Sequence, residues 1–98
     1  MLGTEKTKIL FKELERLTGI GKADILSKSR SDQIVKARFV LMYYLRKKEK
    51  MSFPDIGLFF DKDHTTIQNA IRRVDKSAFL YGKYKIFKSK IKEVYETI

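Results

Sequence analysis

The side chains with the greatest chemical potential lie in one run, Asp63-His64-Thr65-Thr66, at the start of a segment with helical periodicity. A carboxylate accepts hydrogen bonds, an imidazole donates or accepts them, and a threonine offers both a hydroxyl and a methyl group. These groups can also distinguish base edges, since a carboxylate accepts from the cytosine amine and a threonine methyl packs on the thymine methyl. The run therefore indicates a surface suited to base contacts.

The same inventory disfavours catalysis and metal binding. His64 is the only histidine and the chain has no cysteine, so neither a catalytic triad nor a general-base pair can be assembled in a recognisable form. A calcium loop starting at Asp61 would need glycine and glutamate where the sequence has Thr66 and Arg72. No phosphate-binding GxxxxGK[ST] motif occurs. We predict a protein that is not an enzyme and that uses no cofactor, metal or bound nucleotide.

Charge points to a polyanionic partner. The 98 residues contain 22 Lys and Arg against 12 Asp and Glu, a net charge of +10. The excess is concentrated in residues 22–50, which carry +6, whereas residues 51–63 carry −2. Nucleic acid is the first expectation and an anionic membrane the second. Basic residues that only maintain solubility are the alternative for any single lysine.

The elements that must position these residues are predicted to be helices throughout. One proline, five glycines and apolar residues spaced by three and four argue against a sheet. We expect helices at about 4–17, 22–26, 32–48 and 53–60, another from Asp63, and an amphipathic C-terminal helix. The apolar stripe of the last helix comprises Leu80, Tyr84, Phe87, Ile91, Val94 and Ile98. No internal boundary is evident, so residues 1–98 are expected to form one domain.

A helix-turn-helix is predicted at about residues 52–77. Ser52 precedes Asp55 by three residues with Pro54 between them, which is typical of a helix N-terminus. The second helix follows the short turn Asp61-Lys62, and Asp63 could serve there as an N-cap. One face of this helix is apolar, with Ile67, Ala70, Ile71, Val74 and Ala78, and the opposite face is polar, with Thr65, Asn69, Arg72 and Lys76.

These segments resemble the C-terminal DNA-binding domain, domain IV, of the bacterial chromosomal replication initiator DnaA. The similarity covers roughly residues 9–75. It is found in ADILSKSR at 23–30, IVKAR at 34–38, SFPDIGLFF at 52–60 and DHTTIQNAIRRV at 63–74.

The resemblance implies a small, Trp-repressor-like helical bundle that binds double-stranded DNA at a short asymmetric box. It places Asp63, His64, Thr65 and Thr66 in the major groove and Arg30 in the minor groove. Arg38 and Arg46 would face the phosphate backbone, as would residues around Phe53 and Pro54, with Lys62 as a basic residue just before the reading helix. Asn69, on the polar face, is a further candidate contact.

The implied setting is the bacterial cytoplasm, on the nucleoid. No segment of the chain has the length and apolarity of a membrane span or the hydrophobic core of a signal peptide. We expect the domain to be a monomer when it is not bound to DNA.

Three positions depart from the family pattern. The turn before Asp63 is one residue shorter than the glycine-containing turn usual in the family, Asp32 replaces a common basic residue, and Phe39 replaces a polar one. These departures predict an altered box preference. Two other functions remain open: the DNA-binding module of a transcription regulator or mobile-element protein, and a docking module whose basic C-terminal helix binds a partner or a membrane.

Overall fold

Six helices account for most of residues 3–97, the part of the chain that the computed structural model describes. They are α1 (Thr4–Thr18), α2 (Lys22–Ile25), α3 (Asp32–Lys47), α4 (Phe53–Phe60), α5 (His64–Lys76) and α6 (Ala78–Thr97). No strand occurs in these residues. The predicted all-α class and the predicted order of helices are therefore confirmed.

The central helix is α3, and every other helix packs against it or against a helix that it contacts. Its buried side chains run almost continuously from residue 37 to residue 45, and they include Val40, Leu41 and Leu45. The other helices each contribute one apolar stripe, for example Leu10 and Leu14 from α1 and Ile67, Ile71 and Val74 from α5. A helix that is apolar on nearly all sides must be surrounded, which is why α3 lies in the middle.

The stripe of α6 is also buried as predicted, at Leu80, Tyr84, Phe87 and Ile91, with Val94 partly buried. Ile98, predicted to end the stripe, lies outside the described residues. Ala78 was expected to extend the apolar face of α5, and this is wrong: it is exposed and begins α6. Ser77 separates the two helices, and its hydroxyl accepts a hydrogen bond from the Leu80 N–H at 3.1 Å. That bond starts a new helix, so the face of α5 ends at Val74.

The interface between α3 and α6 contains phenol groups that should make the fold sensitive to alkali. Tyr43 and Tyr84 pack edge to face with ring centroids 4.6 Å apart, and Tyr44 packs likewise on Phe87 at 5.1 Å. Burial raises the pKa of Tyr43, Tyr44 and Tyr84 above the ordinary value of 10.0, and the hydrogen bond from Tyr43 to Asp75 raises the pKa of that phenol further.

A raised phenol pKa means that the folded chain binds these protons more tightly than the unfolded chain does. We therefore expect the free energy of unfolding to be unaffected by these groups below about pH 10 and to fall as the pH rises above it. Urea denaturation between pH 8 and pH 11 measures this. Tyr44→Phe, which removes one of the three phenols, should lose less stability over that interval. Equal stability of the wild type at pH 9 and pH 11 would contradict the expectation.

Candidate nucleic-acid interface

The first helix of the motif begins as its sequence predicts. The Ser52 hydroxyl accepts a hydrogen bond from the Asp55 N–H at 3.2 Å, and Pro54 occupies the first turn, where its missing N–H is not needed. The helix ends at Phe60 because Asp61 adopts a left-handed conformation, with φ 54° and ψ 50°. Asp is one of the few residues other than glycine that adopt this conformation routinely. Asp61 thereby allows a turn without glycine.

A close approach of two backbone segments fixes the angle between α4 and α5. The Lys62 N–H donates to the Gly57 carbonyl at 2.8 Å. A Cβ atom added at Gly57 would lie 2.5 Å from the Lys62 carbonyl oxygen and 3.7 Å from the His64 nitrogen. Only a residue without a side chain fits there, so Gly57 allows the turn to lie directly against α4.

The four residues Asp63, His64, Thr65 and Thr66 are all exposed at the start of α5. Immediately after them the helix turns an apolar face into the core, since Ile67, Ala70, Ile71 and Val74 are buried. The buried stripe fixes the rotation of the helix. The predicted polar face is therefore on the outside, and the end of α5 that could enter a groove presents four hydrogen-bonding side chains.

Asp63 occupies the N-cap position of α5 but makes no side-chain capping bond. The alternative that its carboxylate bonds the first-turn amides is therefore wrong. Its Oδ1 lies 3.1 Å from Nδ1 of His64, and both side chains are more than half exposed. In the tautomer with the proton on Nδ1, the imidazole directs a donor toward this carboxylate. In the neutral imidazole, Nε2 is then an acceptor.

The exposed face of α5 continues with Asn69 and Arg72. An Arg72 Nη2 atom donates to the Asn69 Oδ1 at 2.7 Å. With Oδ1 engaged in this way, the amide NH₂ group of Asn69 is the part of the side chain that remains to donate. Asn69 thus presents a hydrogen-bond donor one helical turn beyond residues 63–66, whose side chains include both donors and acceptors.

The polar loop at residues 27–31 connects α2 to α3 and contains Arg30, whose side chain is exposed. Arg38 of α3 reaches into this loop, and its guanidinium donates to the carbonyl oxygens of Ile25, Ser27 and Ser29. Only 6% of Arg38 is exposed, and burial lowers its pKa. Arg38 was expected to be a cation facing the DNA backbone, and the structure places most of it inside the protein.

Arg46 lies on α3 eight residues after Arg38, about 12 Å further along the helix axis. Its guanidinium carbon is 4.2 Å from the centroid of the Phe53 ring, and its Nη1 donates to the Met51 carbonyl at 3.0 Å. Arg46 is partly exposed. It therefore supports the segment that precedes α4 and keeps a cationic edge near Phe53 and Pro54.

The predicted residues form two groups. Lys62, partly exposed, and the run from Asp63 to Thr66 lie together at the α4–α5 turn, and Arg46 adjoins the other end of α4 through Phe53. Arg30 and Arg38 form the second group, at the α2–α3 loop, and α3 connects the two. Asp32, which was expected to bring a negative charge near Arg30, has its Oδ2 2.9 Å from the Lys36 Nζ, so a cation of the same helix lies beside this carboxylate.

Sequence reasoning missed Gly57 and the bonds of Arg38. A glycine inside an otherwise helical pattern is a sign of close backbone approach, so Gly57 had a detectable signal. The Arg38 bonds join residues 9 to 13 positions apart, and no local pattern predicts them.

Among residues 3–97, no group of three or more histidine or carboxylate side chains is placed to bind a metal ion. In the same range no helix is long and apolar enough to cross a membrane.

Two short helices joined by a tight turn, the second with a buried apolar face and an exposed polar start, define a helix-turn-helix domain. Residues 9–74 match the family described as the bacterial dnaA protein helix-turn-helix. Since this match covers most of the chain, the protein belongs to that family.

Individual relatives agree. The chain is 36% identical over 76 residues to the chromosomal replication initiator protein DnaA of Brucella abortus. This match covers 72% of this chain and 15% of the relative. It is 35% identical over 68 residues to the protein of the same name from Mycoplasma pneumoniae. This match covers 69% of this chain and 16% of the relative. It is 39% identical over 57 residues to the DnaA protein of Xanthobacter autotrophicus, and this match covers 57% of this chain and 11% of the relative. The chain thus matches only about 15% of the length of such relatives.

Proposed function

We propose that this domain binds double-stranded DNA at a specific short sequence and acts in the initiation of bacterial chromosome replication. The proposal concerns a binding module, not a catalyst. In it, Asp63, His64, Thr65 and Thr66 contact base edges in the major groove, and Arg30 enters the adjacent minor groove. Membership of the family supports DNA binding, and the exposed groups described above support the choice of residues.

The observation that carries the proposal is the exposure of four consecutive hydrogen-bonding residues at the start of α5. Here Asp63 makes no capping bond, and its carboxylate and the neighbouring imidazole remain on the surface. Helices of this motif use their N-terminal residues to contact bases, so the exposure of these side chains supports a role in base contact.

The pairing of Asp63 with His64 suggests which base atoms are contacted. The Asp63 carboxylate lies 3.1 Å from Nδ1 of His64, and in the neutral tautomer with the proton on Nδ1, the Nε2 atom accepts a hydrogen bond. Exocyclic amines of adenine and cytosine are the donors of the major groove. Thr65 and Thr66 add methyl groups that suit thymine. A box with A·T pairs at this position agrees with these groups, and a narrow minor groove in A·T-rich sequence would also attract Arg30.

Contacts to phosphates would fix the domain on the duplex without reading sequence. Arg46 and Lys62 flank α4 and the turn, and Asn69 lies one turn along the exposed face of α5 from Thr65. In the proposal Arg46 and Lys62 bind phosphates on either side of the groove that receives α5, and Asn69 donates at the edge of the same groove.

The test is selection of bound duplexes from a random pool, followed by competition with anionic liposomes. The proposal predicts recovery of one short consensus, and liposomes at equal salt should not displace the selected duplex. If the pool yields no consensus, or if liposomes compete as strongly as DNA, the basic surface serves another purpose. The liposome arm distinguishes the proposal from docking of the C-terminal helix on a membrane.

Arg46→Gln provides a separate prediction on the phosphate contacts. The glutamine removes the charge and keeps a side chain able to donate to the Met51 carbonyl, so α4 should remain in place. Binding to the selected box and to a scrambled duplex should weaken alike, and the slope of log K against log salt should flatten by about one. Anisotropy titrations at several salt concentrations measure both. A loss confined to the selected box would contradict the assignment of Arg46 to the backbone.

A further inference from the structure

The loop at residues 27–31 connects α2 to α3, and the backbone of each of its three serines is hydrogen-bonded. The Ser27 hydroxyl donates to the Asp24 carbonyl at 2.7 Å and accepts from the Ser29 N–H at 3.1 Å. The Ser29 hydroxyl accepts from the Ser31 N–H at 3.2 Å. The serine hydroxyls therefore bond the N–H groups of Ser29 and Ser31. They donate to neither the Ser27 nor the Ser29 carbonyl, and the donor to these two carbonyls comes from α3.

Arg38 is that donor. Its Nε donates to the Ile25 carbonyl at 2.8 Å, and its Nη2 donates to the carbonyls of Ser27 at 2.9 Å and Ser29 at 3.3 Å. Ile25 is the last residue of α2, so its carbonyl has no N–H group of a following helical turn to bond it. A planar guanidinium with five N–H donors can satisfy several carbonyls at once, which a single ammonium does less well.

Arg30 lies between two residues that these bonds immobilise. On one side, Ser29 is bonded through its carbonyl to Arg38 and through its N–H to Ser27. On the other, Ser31 is bonded through its N–H to Ser29 and through its carbonyl to Val35 at 2.9 Å. The backbone at Arg30 is thus defined from both directions while its side chain remains exposed.

We propose that Arg38 is a positioning residue for Arg30: its buried guanidinium shapes the 27–31 loop so that the exposed Arg30 side chain meets the minor groove in a pre-organised orientation. This inference rests on the proposed minor-groove role of Arg30. It assigns Arg38 to specificity, since pre-organisation lowers the entropic cost of ordering a long side chain on binding. A direct phosphate contact from Arg38 would instead contribute to affinity for any sequence.

A double-mutant cycle separates these two roles. The wild type, Arg30→Ala, Arg38→Met and the double variant are titrated against the selected box and a scrambled duplex. Arg30→Ala should weaken box binding by about 10-fold to 100-fold, the range of a single lost specific contact. Arg38→Met should weaken it to a similar extent, and in the Arg30→Ala background it should add less than about threefold. Binding to the scrambled duplex by Arg38→Met should stay near that of the wild type.

Losses that multiply in the double variant would overturn the inference, as would an Arg38→Met loss that is equal on scrambled DNA and flattens the salt slope by about one. Lys36→Met, on the same helix, is the matched control, and its effect should be independent of Arg30. If the wild type itself shows no preference for any box, the proposed function fails instead. The two failures are therefore distinguishable.

A second variant covers the case in which Arg38→Met does not fold. Arg38→Lys keeps the charge and removes the planar fork, so positioning predicts weaker binding to the box with scrambled binding retained. Amide chemical shifts of residues 27–31 should move in this variant while those of α5 stay in place. Wild-type affinity for the box in Arg38→Lys, or unchanged loop shifts, would contradict the positioning role.

Discussion

Replacing Gly57 with alanine is expected to lower the free energy of unfolding by about 1 to 2 kcal/mol, although alanine is the better helix former. The added Cβ would lie 2.5 Å from the Lys62 carbonyl oxygen, and that oxygen belongs to backbone that cannot rotate away as a side chain can. The turn must therefore move. Since the Lys62 N–H also bonds the Gly57 carbonyl, the movement strains the contact that fixes α5 on α4.

Displacement of α5 should reduce recognition as well as stability. We expect Gly57→Ala to lose at least about tenfold in affinity for the selected box, because a shift of the helix misaligns every base contact at once. The matched control is Gly82→Ala on α6, where an added Cβ meets nothing within 4 Å. That variant should gain about 0.5 to 1 kcal/mol in stability and bind normally. A Gly57→Ala domain as stable as Gly82→Ala would show that the turn is not constrained as described.

Replacing His64 or Thr65 with alanine should cost about 1 to 3 kcal/mol of binding free energy on the selected box and almost nothing on scrambled DNA. Both side chains are exposed at the start of α5, so their removal should leave the fold intact. Lys76→Ala, at the far end of the same helix, is the control, and it should weaken both duplexes slightly and equally. Equal losses on the two duplexes for His64→Ala would assign the imidazole to the phosphate backbone.

Most of the fold could be predicted from local signals in the sequence. The central helix is evident from its nearly continuous apolar residues, and α4 from Ser52 and Pro54, since a capping hydroxyl and a first-turn proline act within four residues of the chain. The exposed polar face of α5 follows from the buried stripe opposite it. In each case the physical cause lies in the same segment as the signal.

The errors arose where a nearby group competed with the expected partner. The Asp63 carboxylate pairs with the His64 imidazole and does not cap the helix. Ala78 has the right spacing for the apolar face of α5, but the Ser77 hydroxyl starts a new helix there. Arg38 is the clearest example, because a residue counted as surface charge proves to be buried against carbonyls 9 to 13 residues away. Composition does not distinguish a solvated arginine from one that replaces missing backbone donors.

The turn between α4 and α5 is shorter than is usual in the family and contains no glycine, and the structure explains how it closes. Asp61 adopts the left-handed conformation that a glycine would otherwise supply, and the turn closes through the bond between Lys62 and Gly57. The shorter connection is therefore compatible with a well-packed motif. Its effect on the orientation of α5 is the reason to determine the target by selection.

The central claim, that this domain reads sequence, is tested most directly by titrating the wild-type protein against its selected box and a scrambled duplex of equal composition. Fluorescence anisotropy at two salt concentrations gives both affinities. We predict a preference for the box of about a hundredfold or more that persists at the higher salt. Equal affinities that fall together as salt rises would contradict the claim, because they would show that the basic surface binds phosphates without reading bases.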